Sequence, residues 1–274
     1  MHRSRNKFLL LVPTVLAALA ALGLHRYMME TCIDSMGLLI PGNLPLKLLW
    51  ALGIGFPGYL LILVSTLGGE GRYEDNFPRS FVSGGLMIAA GVVLLLSART
   101  LTAASPVFLP EQTQALTGFM VGLTDKAMAV LPWLSGGAMV VLGVYRMAGK
   151  KPLFVFSGAV CLLHMLTLIR DYRLWSADPQ LHEYCFPLLA MVLLMLCSFH
   201  RTCCDAGVIQ RKKLIFTGMT AAVCSAASLS GQFRSGFFLA SALWALGCVC
   251  DPVALPPDPE PVEEVQEKQE KEET

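Results

Sequence analysis

Apolar runs close to membrane-spanning length recur along almost the whole of this chain, and that recurrence restricts its fold more than any motif does. They lie near residues 8–24, 44–67, 81–97, 127–148, 153–169, 181–199, 214–230 and 236–250. Roughly 20 apolar residues carry an α-helix across the hydrocarbon core of a bilayer. The expected fold is therefore all-α: a polytopic membrane helix bundle of about eight transmembrane helices. Composition agrees, with 54% apolar and 15% charged residues, against about 25% charged in a soluble domain.

Taken in order, Arg3, Arg5 and Lys7 precede the first run, which reads as a retained helix. A cleaved signal peptide is the alternative, because Ala18-Leu19-Ala20 has the small residues of a cleavage site, and it would leave seven spans. The second run carries Lys47 near one end and Gly53, Gly55, Pro57 and Gly58 near its middle. A kink is expected there. Broken helices frame substrate sites in some transporters, while a tolerated kink or close packing is the plainer reading. Gly84, Gly85 and Ala89 in the third run, Gly136, Gly137 and Gly143 in the fourth, and Gly218, Ala222 and Ala226 in the seventh are small enough for helices to approach closely.

The longest connection, 98–126, contains Leu116, Phe119, Met120 and Leu123 at i, i+3, i+4 and i+7. That periodicity predicts one short amphipathic helix lying in the membrane interface. The last 24 residues, 251–274, are rich in Pro and Glu, lack aromatics and carry a net charge of −7. Such a segment buries too little apolar surface to offset the entropy of ordering, so a disordered tail is expected.

Basic residues give the orientation. With the N-terminus inside, the cytoplasmic segments hold Arg3, Arg5, Lys7, Arg72, Arg79, Arg146, Lys150, Lys151, Arg201, Arg211, Lys212, Lys213, Lys268 and Lys271, fourteen in all. The outer segments hold six: Arg26, Arg99, Lys126, Arg170, Arg173 and Arg234. Under the positive-inside rule both termini are cytoplasmic and the protein is a multi-pass component of the cell membrane. The basic residues are scattered through short loops, which is no nucleic-acid footprint.

The densest polar chemistry lies between His164 and Cys204, read as a helical hairpin. At its outer end His164, Arg170, Asp171, Arg173, His182 and Glu183 form a candidate binding cluster. His164, Asp171 and Trp175 share one face if the fifth helix continues through the link, and Asp178-Pro179 makes a good start for the next helix. His164 and His182 would then meet at similar depth near the outer surface. Proton relay, metal ligation or anion binding between Arg170 and Arg173 are the chemistries such a cluster allows. An interfacial belt of Arg, Tyr and Trp with one buried, hydrogen-bonded histidine is the structural alternative.

Cys197, His200 and Cys204 share a face near the cytoplasmic end of the sixth run, where thiolates and an imidazole suit zinc or copper(I). Their spacing matches no zinc pattern, and membrane helices also use cysteine as a small packing residue. There is no P-loop, HExxH, GxSxG or strand-bound GxGxxG, so the sequence gives no reason to expect an enzyme or a cofactor. Three functions fit what remains. A small-solute or ion transporter comes first. A membrane-embedded metal, haem or acid–base protein using His164 and His182 is second. A non-catalytic assembly protein, meeting a protein partner through its acidic tail, is third. The lipid bilayer is the partner common to all three.

Overall fold

The computed structural model describes residues 2–32, 43–67, 73–102, 114–175, 181–230 and 234–252. Every regular element among them is helical: α1 (His2–Thr31), α2 (Leu44–Ser65), α3 (Tyr73–Asn76), α4 (Phe81–Thr102), α5 (Gln114–Ala148), α6 (Phe154–Trp175), α7 (Leu181–Ala206), α8 (Arg211–Ala227) and α9 (Ser235–Val249), with one 3-10 turn, Ser228–Ser230, ending α8. Seven of these helices are long and apolar enough to cross a membrane, and α9 is a shorter apolar helix. The protein is a multi-pass membrane helix bundle.

Six helices close into a ring: α4 lies against α5, α5 against α6, α6 against α7, α7 against α8, α8 against α9, and α9 returns to α4. Outside the ring, α1 and α2 pair with each other and rest on α8. This leaves α8 the most enclosed of the long spans, with 78% of its residues buried against 22% for α2. Large apolar side chains on the outer faces stand free of protein, among them Leu96 (79% exposed), Ile54 (70%) and Ile62 (70%). In water such a surface would aggregate; in lipid it is solvated. α9 is about 22 Å long, short of the roughly 30 Å hydrocarbon thickness. It is almost wholly enclosed by protein, with Phe237, Ala240, Trp244 and Cys248 all buried.

Successive crossings alternate in direction. Arg146 at the end of α5, Arg201 near the end of α7 and Arg211 at the start of α8 gather at one end of the bundle, called the Arg-rich end. His25 of α1, Leu101 of α4, Asp171 of α6 and Arg234 at the start of α9 lie at the opposite end.

Close approach of α4 and α5 depends on glycine. A Cβ on Gly84 would lie 2.7 Å from the Gly143 carbonyl oxygen, and one on Gly143 would lie 2.6 Å from that of Gly84. Seven residues further along α4, a Cβ on Gly91 would lie 2.6 Å from the Gly136 carbonyl oxygen. These positions lack a Cβ because the facing backbone occupies its place. At Gly218 of α8 side chains, those of Val249 and Cys197, take that place instead.

The helices differ from the apolar runs in three instructive respects. The second run forms one uninterrupted helix through Pro57, and a Cβ on Gly55 or Gly58 would meet nothing within 4 Å. A Cβ on Gly53 would lie 3.6 Å from the Phe186 ring. The amphipathic stretch around Leu116–Leu123 is helical, but it is continuous with the fourth span in α5 rather than separate from it. And α1, α6 and α7 run past residues 24, 169 and 199 to Thr31, Trp175 and Ala206. Their added turns carry His25, Asp171, Arg201 and Asp205, all of them buried. Protein rather than water surrounds those polar groups, so hydropathy alone underestimates the helices. The tail beyond residue 252 and the Asp178-Pro179 helix start lie outside the described residues.

Candidate functional site: a buried polar line through the ring

Extending α6 to Trp175 puts His164 at mid-length, eleven residues from the end of its helix. Its imidazole is fully buried. Nδ1 lies 3.0 Å from Ser198 Oγ of α7, and Nε2 lies 3.3 Å from Ser241 Oγ of α9. The indole N–H of Trp244 donates to the same Ser198 oxygen at 3.1 Å. Phe237 closes the group edge-on, with ring centroids 5.9 Å apart. The mid-depth of the ring thus holds a hydrogen-bonded polar group built by three helices, where the sequence shows a nearly unbroken apolar level.

Along α7, His164 packs far from the start of the helix. His182 is the second residue of α7, sixteen positions before the Ser198 that His164 meets. At 1.5 Å of rise per residue that is about 24 Å of depth. The described partners of the His164 imidazole are Ser198 and Ser241; the expected meeting with His182 falls outside the described side chains. The side chains of Arg173, His182 and Glu183 lie outside the described residues.

Arg170 and Asp171 both lie at the end opposite the Arg-rich one. Asp171 is buried and ion-paired with Arg234 at the start of α9. Arg170 Nη1 donates at 2.8 Å to the carbonyl of Leu101 in the last turn of α4. Arg234 holds a left-handed backbone conformation, φ 65° and ψ 32°, which costs a side-chain-bearing residue about 1–2 kcal/mol. Its guanidinium reaches Asp171 from there. Nearby, His25 Nδ1 meets Ser230 Oγ, and its ring lies edge-on to Phe186, tying α1 to α8 and α7.

A larger network closes the Arg-rich end. Arg201 pairs with Asp205 one turn on, at 3.0 Å, both side chains fully buried. Tyr73 of α3 donates its hydroxyl to Asp205 at 3.3 Å. Arg146 pairs with Asp251 and donates to the carbonyls of Phe77 at 2.8 Å and Pro78 at 2.9 Å. Both guanidiniums stand over the Phe77 ring, Arg201 at 4.3 Å and Arg146 at 5.2 Å from its centroid. Arg211 Nε donates to the Pro252 carbonyl at 2.6 Å, anchoring the root of the acidic tail. Burial pushes the Tyr73 phenol above its ordinary range, although the positive charge of Arg201 opposes that shift.

Cys204 is fully buried inside this end and Cys197 fully buried about two turns deeper, whereas His200 is only partly buried and its ring lies against Phe199, 5.7 Å between centroids. Among the described residues no three His, Cys, Asp or Glu side chains gather as a metal site.

Ser198, Ser241, Trp244 and Arg234 are members of these buried polar groups that sequence reasoning passed over. Serine and tryptophan inside an apolar run carry no signal of their own, and Arg234 reads as a loop charge. One cue was present: Arg201 and Asp205 stand at i, i+4, the spacing of a helical ion pair. No family model matches the chain, and neither a curated protein nor a solved structure resembles it significantly.

Proposed function

We propose that the protein transports a small solute or ion through the ring of α4–α9. In this reading it sits in the cell membrane with the Arg-rich end and both termini in the cytoplasm. One observation carries the proposal: a polar group, His164 with Ser198, Ser241 and Trp244, lies halfway along the ring, and buried ion pairs close the ring at either end. Burying polar side chains at mid-membrane is costly, and where they occur they commonly mark a path for substrates or ions. A site at the repeat or bundle centre, reached alternately from each side, is how carriers work. Asp171 with Arg234 seals one mouth. Arg146 with Asp251, and Arg201 with Asp205, seal the other. The positive-inside rule supports the orientation, because the basic residues crowd the Arg-rich end.

Alternating access is testable without knowing the substrate. Ser241→Cys, in a chain whose reactive cysteines are replaced, is exposed in sealed vesicles to a membrane-impermeant thiol reagent from one side and then from the other. Labelling from both sides is expected. A thiol at position 241 that reacts from neither side excludes the transporter reading.

A further inference from the structure

We propose that the acidic tail beyond residue 252 docks on the basic rim at the Arg-rich end of its own bundle. Docking of this kind does not depend on transport. The root of the tail is fixed between the end of α5 and the start of α8. Asp251 is buried and ion-paired with Arg146, and Arg211 donates to the Pro252 carbonyl at 2.6 Å. Lys150 stands four residues past Arg146, and Lys212 and Lys213 follow Arg211 directly. The basic rim therefore begins where the tail begins. Asp258, the first acid past the root, is six residues from Pro252, at most about 22 Å of chain.

Charge complementarity favours this occupant. The two acidic side chains described at this end, Asp205 and Asp251, are buried and taken up by Arg201 and Arg146. Around them Arg79, Lys150, Lys151 and Lys213 are exposed, and Lys212 is half-buried. The contacts these five make are with neutral groups. Arg79 Nε donates to the Met147 carbonyl at 2.8 Å, Lys212 Nζ to the Ser65 carbonyl at 3.3 Å, and Lys151 Nζ stands 5.2 Å over the Tyr73 ring. Among the described residues none of the five has a carboxylate partner. By sequence, segments 1–7, 68–80, 149–151 and 212–213 at this end carry nine basic and three acidic residues, a net +6. Residues 253–274 carry eight acids and two lysines, a net −6. One exposed ion pair contributes little. A tethered segment, however, meets its target at an effective concentration in the millimolar range and can make several pairs together. Anionic lipid headgroups are the other ligand such a rim takes. The tail has the advantage over them because it is anchored beside the rim.

NMR of the tail amides, on nitrogen-15-labelled full-length protein in a micelle of uncharged detergent, tests this. Salt sets the range of the attraction: the Debye length is about 30 Å at about 0.01 M and about 3 Å at about 1 M. Amide signals of residues 263–273 are expected to be at least threefold broader at the lower salt than at the higher. Combining Lys150→Gln, Lys151→Gln and Lys213→Gln is expected to remove most of that broadening at low salt and to leave the melting temperature unchanged. Arg at the same three positions is expected to keep the signals broad. Equally sharp signals at both salts in wild type overturn the proposal. So does broadening that persists at high salt or in the Gln variant. Tenfold dilution at low salt leaves docking within one chain intact; sharpening on dilution assigns the rim to the tail of a second copy and overturns it. Nanodiscs of neutral lipid are expected to reproduce the micelle result. If phosphatidylserine added to those nanodiscs sharpens the tail signals, lipid headgroups hold the rim and the proposal falls.

Discussion

His164 Nδ1 lies 3.0 Å from Ser198 Oγ, a hydrogen bond that joins α6 to α7. The same oxygen accepts the Trp244 indole N–H, so a single hydroxyl ties three ring helices together at mid-depth.

Ser198 and Ser241 should therefore respond unequally to truncation. Ser198→Ala strips partners from both His164 and Trp244, whereas Ser241→Ala removes a single 3.3 Å contact. A buried donor left without a partner costs about 1–3 kcal/mol. Unfolding in detergent is expected to show the larger loss for Ser198→Ala. Equal losses would mean that the indole and imidazole find other partners.

Glycine along α4 and α5 makes a second contrast. A methyl group on Gly91 would stand 2.6 Å from the Gly136 carbonyl oxygen, and one on Gly137 would meet nothing within 4 Å. Gly91→Ala must force the helices apart and is expected to destabilise by about 1–3 kcal/mol. Gly137→Ala is expected to be neutral or to stabilise by up to about 1 kcal/mol through helix propensity. Thermal denaturation of the two variants side by side decides the matter.

Removing the Asp251 carboxylate leaves Arg146 buried without its counter-charge. Asp251→Ala should cost about 3–5 kcal/mol. Arg146→Met combined with Asp251→Ala should cost less than Asp251→Ala alone, because no orphaned charge remains. A double-mutant cycle on unfolding free energy measures the difference.

Alkaline stability reports on Tyr73. Burial raises its phenol above the ordinary value of 10.0, so the folded state holds this proton more tightly than the unfolded state does. Its stabilising contribution is full below that value and is lost as pH climbs through the folded-state titration. Melting temperature is therefore expected to fall above about pH 10, and Tyr73→Phe should make that fall shallower than in wild type. Parallel slopes for the two proteins would place the phenol in water.

The left-handed conformation of Arg234 separates backbone from side-chain effects. Both Arg234→Ala and Arg234→Gly lose the ion pair with Asp171, but only glycine adopts φ 65° without strain. The alanine variant should be less stable than the glycine variant by about 1–2 kcal/mol. A smaller gap would show that residue 234 relaxes to another backbone conformation once its partner is gone.

Hydropathy along the chain was enough to specify a helical membrane bundle and the approximate position of each crossing, because apolar run length is a local property that the bilayer reads directly. It also specified the alternation of direction and the crowding of Arg and Lys toward one end. Face was a different matter. Arg146, Arg201 and Arg211 look like loop charges in the sequence, yet all three are buried, and Arg201 and Arg211 lie within helices that outrun or begin before the apolar runs. Their partners stand far away along the chain: Phe77 for Arg146, Tyr73 for Arg201 and Pro252 for Arg211. His164 is the same case, since Ser198 and Ser241 come from other helices. A polar side chain can stay in an apolar medium only where another group satisfies it, and which groups meet is set by helices folding against one another rather than by any neighbour in sequence.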